Sequence, residues 1–203
     1  RIVYTGGRAA ELVVNGDYLY ITIGMAGMSV YDISIPDQPT FEMNWNTTSG
    51  MAQGLHLYPD GDYLALADYN NGAYLLDLTF PNVPRWLLTL TYQNLPAADV
   101  TSRDTMGICS YLNNGIKSFD LSGSQLYYLE TGIGSGPVYY YNNYIYVCRG
   151  DSGMTIADCA APDTMYIVNT QSSPGHPFKV AVKNDIAYVA NMEKGLSVVD
   201  ISD

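Results

Sequence analysis

The chain has 203 residues and a formal net charge of −11, with nine lysines and arginines against twenty aspartates and glutamates. So few cations, scattered along the chain, form no basic patch, which excludes nucleic acid and anionic lipid as partners. No apolar run approaches the length of a membrane span, so membrane insertion is not expected either, and no signal peptide is visible.

Residues 2–5, Ile-Val-Tyr-Thr, form a strand with no partner before it. Residues 12–14, Leu-Val-Val, read as a first strand (A). Asn15-Gly16-Asp17 is a tight turn, where Asn and Gly tolerate positive φ. Residues 18–23 are rich in aromatic and β-branched types and read as strand B. A short loop ends at Gly27, which is expected to be left-handed. Residues 28–33 are strand C. After the turn Pro36-Asp37-Gln38-Pro39, residues 40–45 are strand D; proline is tolerated there because the turn lies outside the ladder. Asn46-Thr47-Thr48 follows as an N-glycosylation sequon, with a polar loop as the competing reading.

The same four-strand pattern returns four more times, about every forty residues. Its signature Gly-x-x-x-x-Asp occurs at Gly27/Asp32, Gly72/Asp77, Gly115/Asp120, Gly153/Asp158 and Gly195/Asp200. Upstream of each glycine the copies align without gaps, so Glu11, His56, Asp99, Pro137 and Lys179 occupy one equivalent position at the start of strand A. The third copy is the most diverged and has Leu121-Ser-Gly-Ser-Gln125 where the others carry prolines. The last copy stops after strand C. Helical periodicity is absent. Four antiparallel strands per repeat predict an all-β fold, a five-bladed β-propeller, since one blade cannot bury both of its faces alone. The blades span about 8–48, 49–93, 94–132, 133–172 and 173–203. Residues 1–7 are expected to supply the missing outer strand of the last blade. That closes the ring and removes its open edge.

These residues resemble the LVIVD repeat family of β-propellers. The resemblance is carried by Ala187-Tyr-Val-Ala190 with Gly195-Leu-Ser-Val-Val-Asp-Ile-Ser202, and by Gly27-Met-Ser-Val-Tyr-Asp-Ile-Ser34 with Pro36 and Pro39. It covers nearly the whole chain. It implies surface or secreted proteins of bacteria and archaea, and it brings no catalytic residues. The tyrosine-rich, lysine-poor composition points the same way, to an extracellular or cell-surface location. The start at Arg1, without Met, reads as a mature chain or an excised fragment.

The five repeated aspartates end strand C before a turn, where a carboxylate accepts backbone N–H bonds, so they read as structural. Cys109, Cys148 and Cys159 are an odd set without metal-ligand spacing. Cys148 and Cys159 fall several residues out of register across their hairpin, so they are expected to stay unbonded as buried thiols. No cofactor and no metal site is expected. The binding candidates are Glu11, His56, Asp99 and Lys179 at the mouth of the central channel, with Arg8 and His176 flanking them. A second set is Asp68, Tyr69 and Asn70 in a loop between strands B and C of the second blade. The expected function is a non-catalytic binding or assembly module with a protein or glycan partner, including self-association. The alternative is a glycoside hydrolase-like enzyme, with Glu11 and Asp99 as acid and as base or nucleophile.

Overall fold

The computed structural model describes residues 2–47, 50–161, 163–172 and 175–202. Blade 1 consists of β1 (Leu12–Asn15), β2 (Tyr18–Thr22), β3 (Met28–Asp32) and β4 (Thr40–Trp45). Blade 2 follows with β5 (Ala52–Leu57), β6 (Tyr63–Asp68), β7 (Gly72–Asp77) and β8 (Arg85–Leu90). Blade 3 holds β9 (Ala97–Arg103), β10 (Met106–Tyr111), β11 (Gly115–Phe119) and β12 (Gln125–Glu130). Blade 4 holds β13 (Val138–Tyr141), β14 (Tyr144–Cys148), β15 (Met154–Ala161) and β16 (Thr164–Gln171). Blade 5 is β17 (Pro177–Lys183), β18 (Ile186–Asn191) and β19 (Gly195–Asp200). Every sheet is an antiparallel meander in chain order, and the chain is an all-β five-bladed propeller. The only helical segment among the described residues is one 3-10 turn at Gly150–Ser152.

Each blade uses the pleat to serve two neighbours, because alternate side chains of a strand point to opposite faces. In blade 1, Tyr20, Met28 and Val30 point forward and meet Leu55, Leu64, Leu66 and Leu76 of blade 2. The same alternation builds apolar clusters between blades 2 and 3, 3 and 4, and 4 and 5. The innermost strands follow one another around the axis, β1 against β5, β5 against β9, β9 against β13 and β13 against β17.

Asp32, Asp77, Asp120, Asp158 and Asp200 each accept the N–H of the residue two positions on, at 2.6–3.0 Å. The hydroxyls of Ser34, Thr79, Ser122 and Ser202 first, and these backbone bonds with them, hold Asp32, Asp77, Asp120 and Asp200 below the usual carboxylate range. The repeated aspartates are turn-formers, as the sequence reading has them. The three cysteines are free and buried, and burial pushes each thiol up to about 12. Cys148 pairs across its hairpin with Met154, not with Cys159.

The expected ring closure is corrected by the structure. The fifth sheet has three strands, and residues 2–5 form no ladder with β19. Ile2 and Tyr4, which closure would have buried in part, are 79% and 89% exposed. The segment lies instead beside blade 1, where residues 2–6 border a cleft of about 440 Å³ with Tyr31, Pro39 and Phe41. The physical reason is that pairing needs blades 5 and 1 to meet face to face, and they do not. Among the described residues no apolar cluster joins them. Gly7 is meanwhile packed closely on Ile23 and commits the segment to blade 1. A cleft of about 510 Å³ lies between blade 4 (Tyr146, Ile156, Val168) and Ile201.

Candidate functional site

Four of the five equivalent strand-A positions carry polar side chains, and the structure brings these four together at the axis. Glu11 enters from blade 1, His56 from β5, Asp99 from β9 and Lys179 from β17. The Lys179 ammonium donates to Glu11 Oε1 at 2.5 Å and lies 3.6 Å from Asp99 Oδ2. The remaining carboxylate valences go to backbone donors of the following blade. Leu55 N–H donates to Glu11 Oε2 at 3.0 Å, which ties blade 1 to blade 2. Val138 N–H donates to Asp99 Oδ2 at 3.1 Å, which ties blade 3 to blade 4. Val100 N–H completes Asp99 at Oδ1, 2.9 Å away. Through three side chains, hydrogen bonds and one ion pair tie all five blades together at one point.

A pair of hydroxyls supports this latch. Thr22 Oγ1 accepts the N–H of Glu11 at 2.9 Å and lies 3.2 Å from the Gln53 carbonyl of blade 2. Ser110 repeats the arrangement in blade 3, accepting the N–H of Asp99 at 3.1 Å and donating to the Gly136 carbonyl of blade 4 at 2.7 Å. Thr22 and Ser110 are equivalent repeat positions. They accompany the carboxylate in the two blades that have one, while the same position is Ala67, Cys148 or Ala190 elsewhere. The sequence reading passed over them because a hydroxyl on a strand reads as ordinary sheet chemistry. The signal available was their co-occurrence with an acidic residue eleven positions earlier.

Burial pushes the Asp99 carboxyl up to about 6, Lys179 pulls it down, and Glu11 pushes it up again. Burial alone would lower Lys179, but Asp99 and Glu11 outweigh it and hold the ammonium above its ordinary value. His56 is pushed down to about 4, by burial first and by Lys179, against the attraction of Glu11. At neutral pH the Lys179 ammonium therefore stays charged and the His56 imidazole neutral. Both carboxylates are engaged, so neither stands as a free nucleophile or base.

The other candidates lie apart from this cluster. Arg8 is exposed on the segment leading into β1. His176 pairs with Asp151 of blade 4 at 3.2 Å, on the rim formed by the loops. Asp68 is buried, and its Oδ1 takes the N–H groups of Met51, Asn70 and Asn71, so it clamps its turn and does not face solvent. Tyr69 is half-buried beside it and Asn70 is exposed. Asn46 is exposed and Thr47 buried, while Thr48 of the sequon lies outside the described residues. The loops between strands B and C do share one face with the loops between blades: Asp68 reaches Met51, Asn113 reaches Gly134 and Asp151 reaches His176. No group of three metal-ligating side chains occurs among the described residues, and none of their helices is long and apolar enough to cross a membrane.

A family model described as the LVIVD repeat matches residues 6–47, 136–170 and 174–203. No curated protein matches the sequence. Among solved structures the chain is similar to the computationally designed Ika8 protein, with TM-score 0.74 and 11% identity over 95% of this chain and 58% of that one. It thus spans a little over half of that chain's length. It is also similar to the designed Ika4 protein, with TM-score 0.64 and 9% identity over 76% of this chain and 94% of that one. A chain in a nidogen/laminin complex matches with TM-score 0.67 and 12% identity over 95% of this chain and 76% of that one. At these identities the likeness is one of fold.

Proposed function

The chain belongs to the LVIVD repeat family, and on that premise we propose that it is a non-catalytic binding module at the cell surface or outside the cell, taking a protein or glycan partner on its loop face. The observation that carries this reading is the internal satisfaction of the axial charges. Glu11 and Asp99 spend their oxygens on Leu55, Val100, Val138 and Lys179. A reacting pair of carboxylates would instead face a sugar ring from two sides. What remains for recognition is the face built by the inter-blade and B–C loops, where Tyr69, Asn70, Asp151 and His176 lie. One structure of similar fold was solved in a nidogen/laminin complex, a setting of protein recognition. The acidic composition and the half-buried Tyr69 on this face suit a partner bound outside the cell by stacking and hydrogen bonds rather than by charge alone.

The test is binding of the purified chain to protein and glycan arrays, with surface biotinylation of intact source cells. The expected result is capture of a protein or glycan that weakens when Tyr69 is replaced by alanine, from a chain that is labelled on whole cells. Turnover of a glycoside that disappears in folded Glu11→Gln and Asp99→Asn variants would overturn the reading in favour of a hydrolase.

A further inference from the structure

We infer that Thr47 and Asp68 hold a calcium ion where the first blade hands over to the second. The inference goes beyond the binding-module reading and does not depend on it.

The observation is a pair of orphaned oxygens in the interior. Asp68 ends β6 and is 0% exposed, and Thr47 follows β4 and is 6% exposed. Asp68 Oδ1 collects three backbone N–H groups. Its Oδ2 has no hydrogen-bond partner among the described residues, and neither has Thr47 Oγ1. Both atoms are turned to the same place. A Cβ built on Gly50 would lie 1.8 Å from Asp68 Oδ2 and 2.4 Å from Thr47 Oγ1. Gly50 thus leaves open a cradle that a side chain would fill.

A buried oxygen without a partner costs free energy, and a buried carboxylate without a cation costs more. None of the ion pairs among the described residues involves Asp68. The repeat does not require an acid at this position either, since its equivalents are Ile23, Tyr111, Arg149 and Asn191. Where those equivalents are Tyr111 and Asn191, they donate inside the fold, to Leu90 and to Val189 and Ser197. A water bridging Asp68 and Thr47 would satisfy the oxygens but leave the charge uncompensated. A cation does both.

A carboxylate and a hydroxyl, with no nitrogen or sulfur, suit a hard cation. Magnesium demands a near-ideal octahedron, whereas calcium accepts irregular sets of carboxylate, backbone and water oxygens. Two side-chain oxygens fall short of a three-ligand cluster, so backbone oxygens and water make up the rest of the shell. A single carboxylate puts the site at the weak end of calcium binding, with a Kd of about 10⁻⁴–10⁻³ M, the range of extracellular modules. Once filled, it ties the end of blade 1 to blade 2 and steadies the turn that carries Tyr69 and Asn70.

The experiment follows the thermal midpoint of the chelator-dialysed chain against added CaCl2, with NaCl at matched ionic strength as the control. Terbium luminescence, sensitised by Tyr69 next to Asp68, reports occupancy directly. The parent's midpoint is expected to rise with calcium, half of the rise falling at about 10⁻⁴–10⁻³ M, and calcium is expected to displace terbium over the same range. Asp68→Asn keeps the Oδ1 acceptor and turns an N–H donor towards Thr47 Oγ1, so it is expected to fold and to lose the calcium response. Thr47→Val keeps the charge and the shape, and is expected to need several-fold more calcium; it decides the matter if Asp68→Asn fails to fold. An unresponsive parent, an equal response to NaCl, a folded Asp68→Asn that responds like the parent, or a Thr47→Val titration that overlays the parent's overturns the inference.

Discussion

Replacing Lys179 with alanine is expected to cost roughly 2–4 kcal/mol of stability at neutral pH, somewhat below the cost of breaking a fully buried ion pair because the ammonium is half exposed. The loss arises at Asp99, whose side chain is 4% exposed and which, without a cation, must either stay charged beside Glu11 or take up a proton. The pH dependence follows from the signs of the shifts. Asp99 has a folded pKa of about 6, above the ordinary carboxylate value, so its contribution is complete below that ordinary value and is lost as pH rises through the folded one. Without Lys179 the folded value rises further, so through Asp99 the variant should regain stability relative to the parent as pH falls from above neutral to about 6, below which both proteins hold the proton. His56 acts in the same direction. Its value of about 4 is held down partly by Lys179, so removing the lysine lets the folded variant take up a proton more readily. Urea denaturation of both proteins at a series of pH values checks this. A stability gap that does not narrow as pH falls from above neutral to about 6 contradicts the latch.

Replacing Gly107 with valine is expected to cost about 3 kcal/mol, at the upper end of the range for overpacking a core. Gly107 lies on β10 directly opposite Phe119 of β11, and any Cβ there overlaps the Phe119 ring and the Tyr58 hydroxyl. Both neighbours are buried in the cluster between blades 2 and 3, so neither can swing into solvent. The requirement is for space rather than for a left-handed backbone, since Gly107 is not among the positive-φ residues. Phe119→Leu, destabilising by itself, should then recover part of the loss when combined with the valine, a positive coupling between touching side chains. Equilibrium unfolding of the two single variants and the double variant measures it, and strict additivity of the two losses contradicts the packing described.

The repeat was legible from sequence because its cues are local. The Gly-x-x-x-x-Asp signature places strand C and the turn that follows, and residues 40–45 were assigned to strand D with the bounds that β4 has in the structure. The convergence of Glu11, His56, Asp99 and Lys179 was legible for a geometric reason: equivalent positions in blades around an axis must approach one another. The ring closure was misjudged because counting strands says nothing about which faces meet. Residues 2–5 have the composition of an outer strand, but they lie beside blade 1 and form no ladder with β19. Asp68 was misplaced because a loop aspartate looks the same in sequence whether it faces solvent or turns inward to collect three N–H groups. The support by Thr22 and Ser110 was written in the alignment but carries no meaning until the carboxylates are seen to need it.

The central claim is an axially latched propeller whose junction between blades 5 and 1 is left undocked in the single chain. Native-state thiol labelling of two single-cysteine insertions at one repeat position tests it most directly. Val198→Cys lies on the free face of blade 5, and Val30→Cys is its buried equivalent in blade 1. Cys109, Cys148 and Cys159 are buried and form a silent background in both. The account predicts rapid reaction of Val198→Cys and none of Val30→Cys until the protein unfolds. Equal protection of the two would contradict it and would mean that blade 5 closes on blade 1 within one chain.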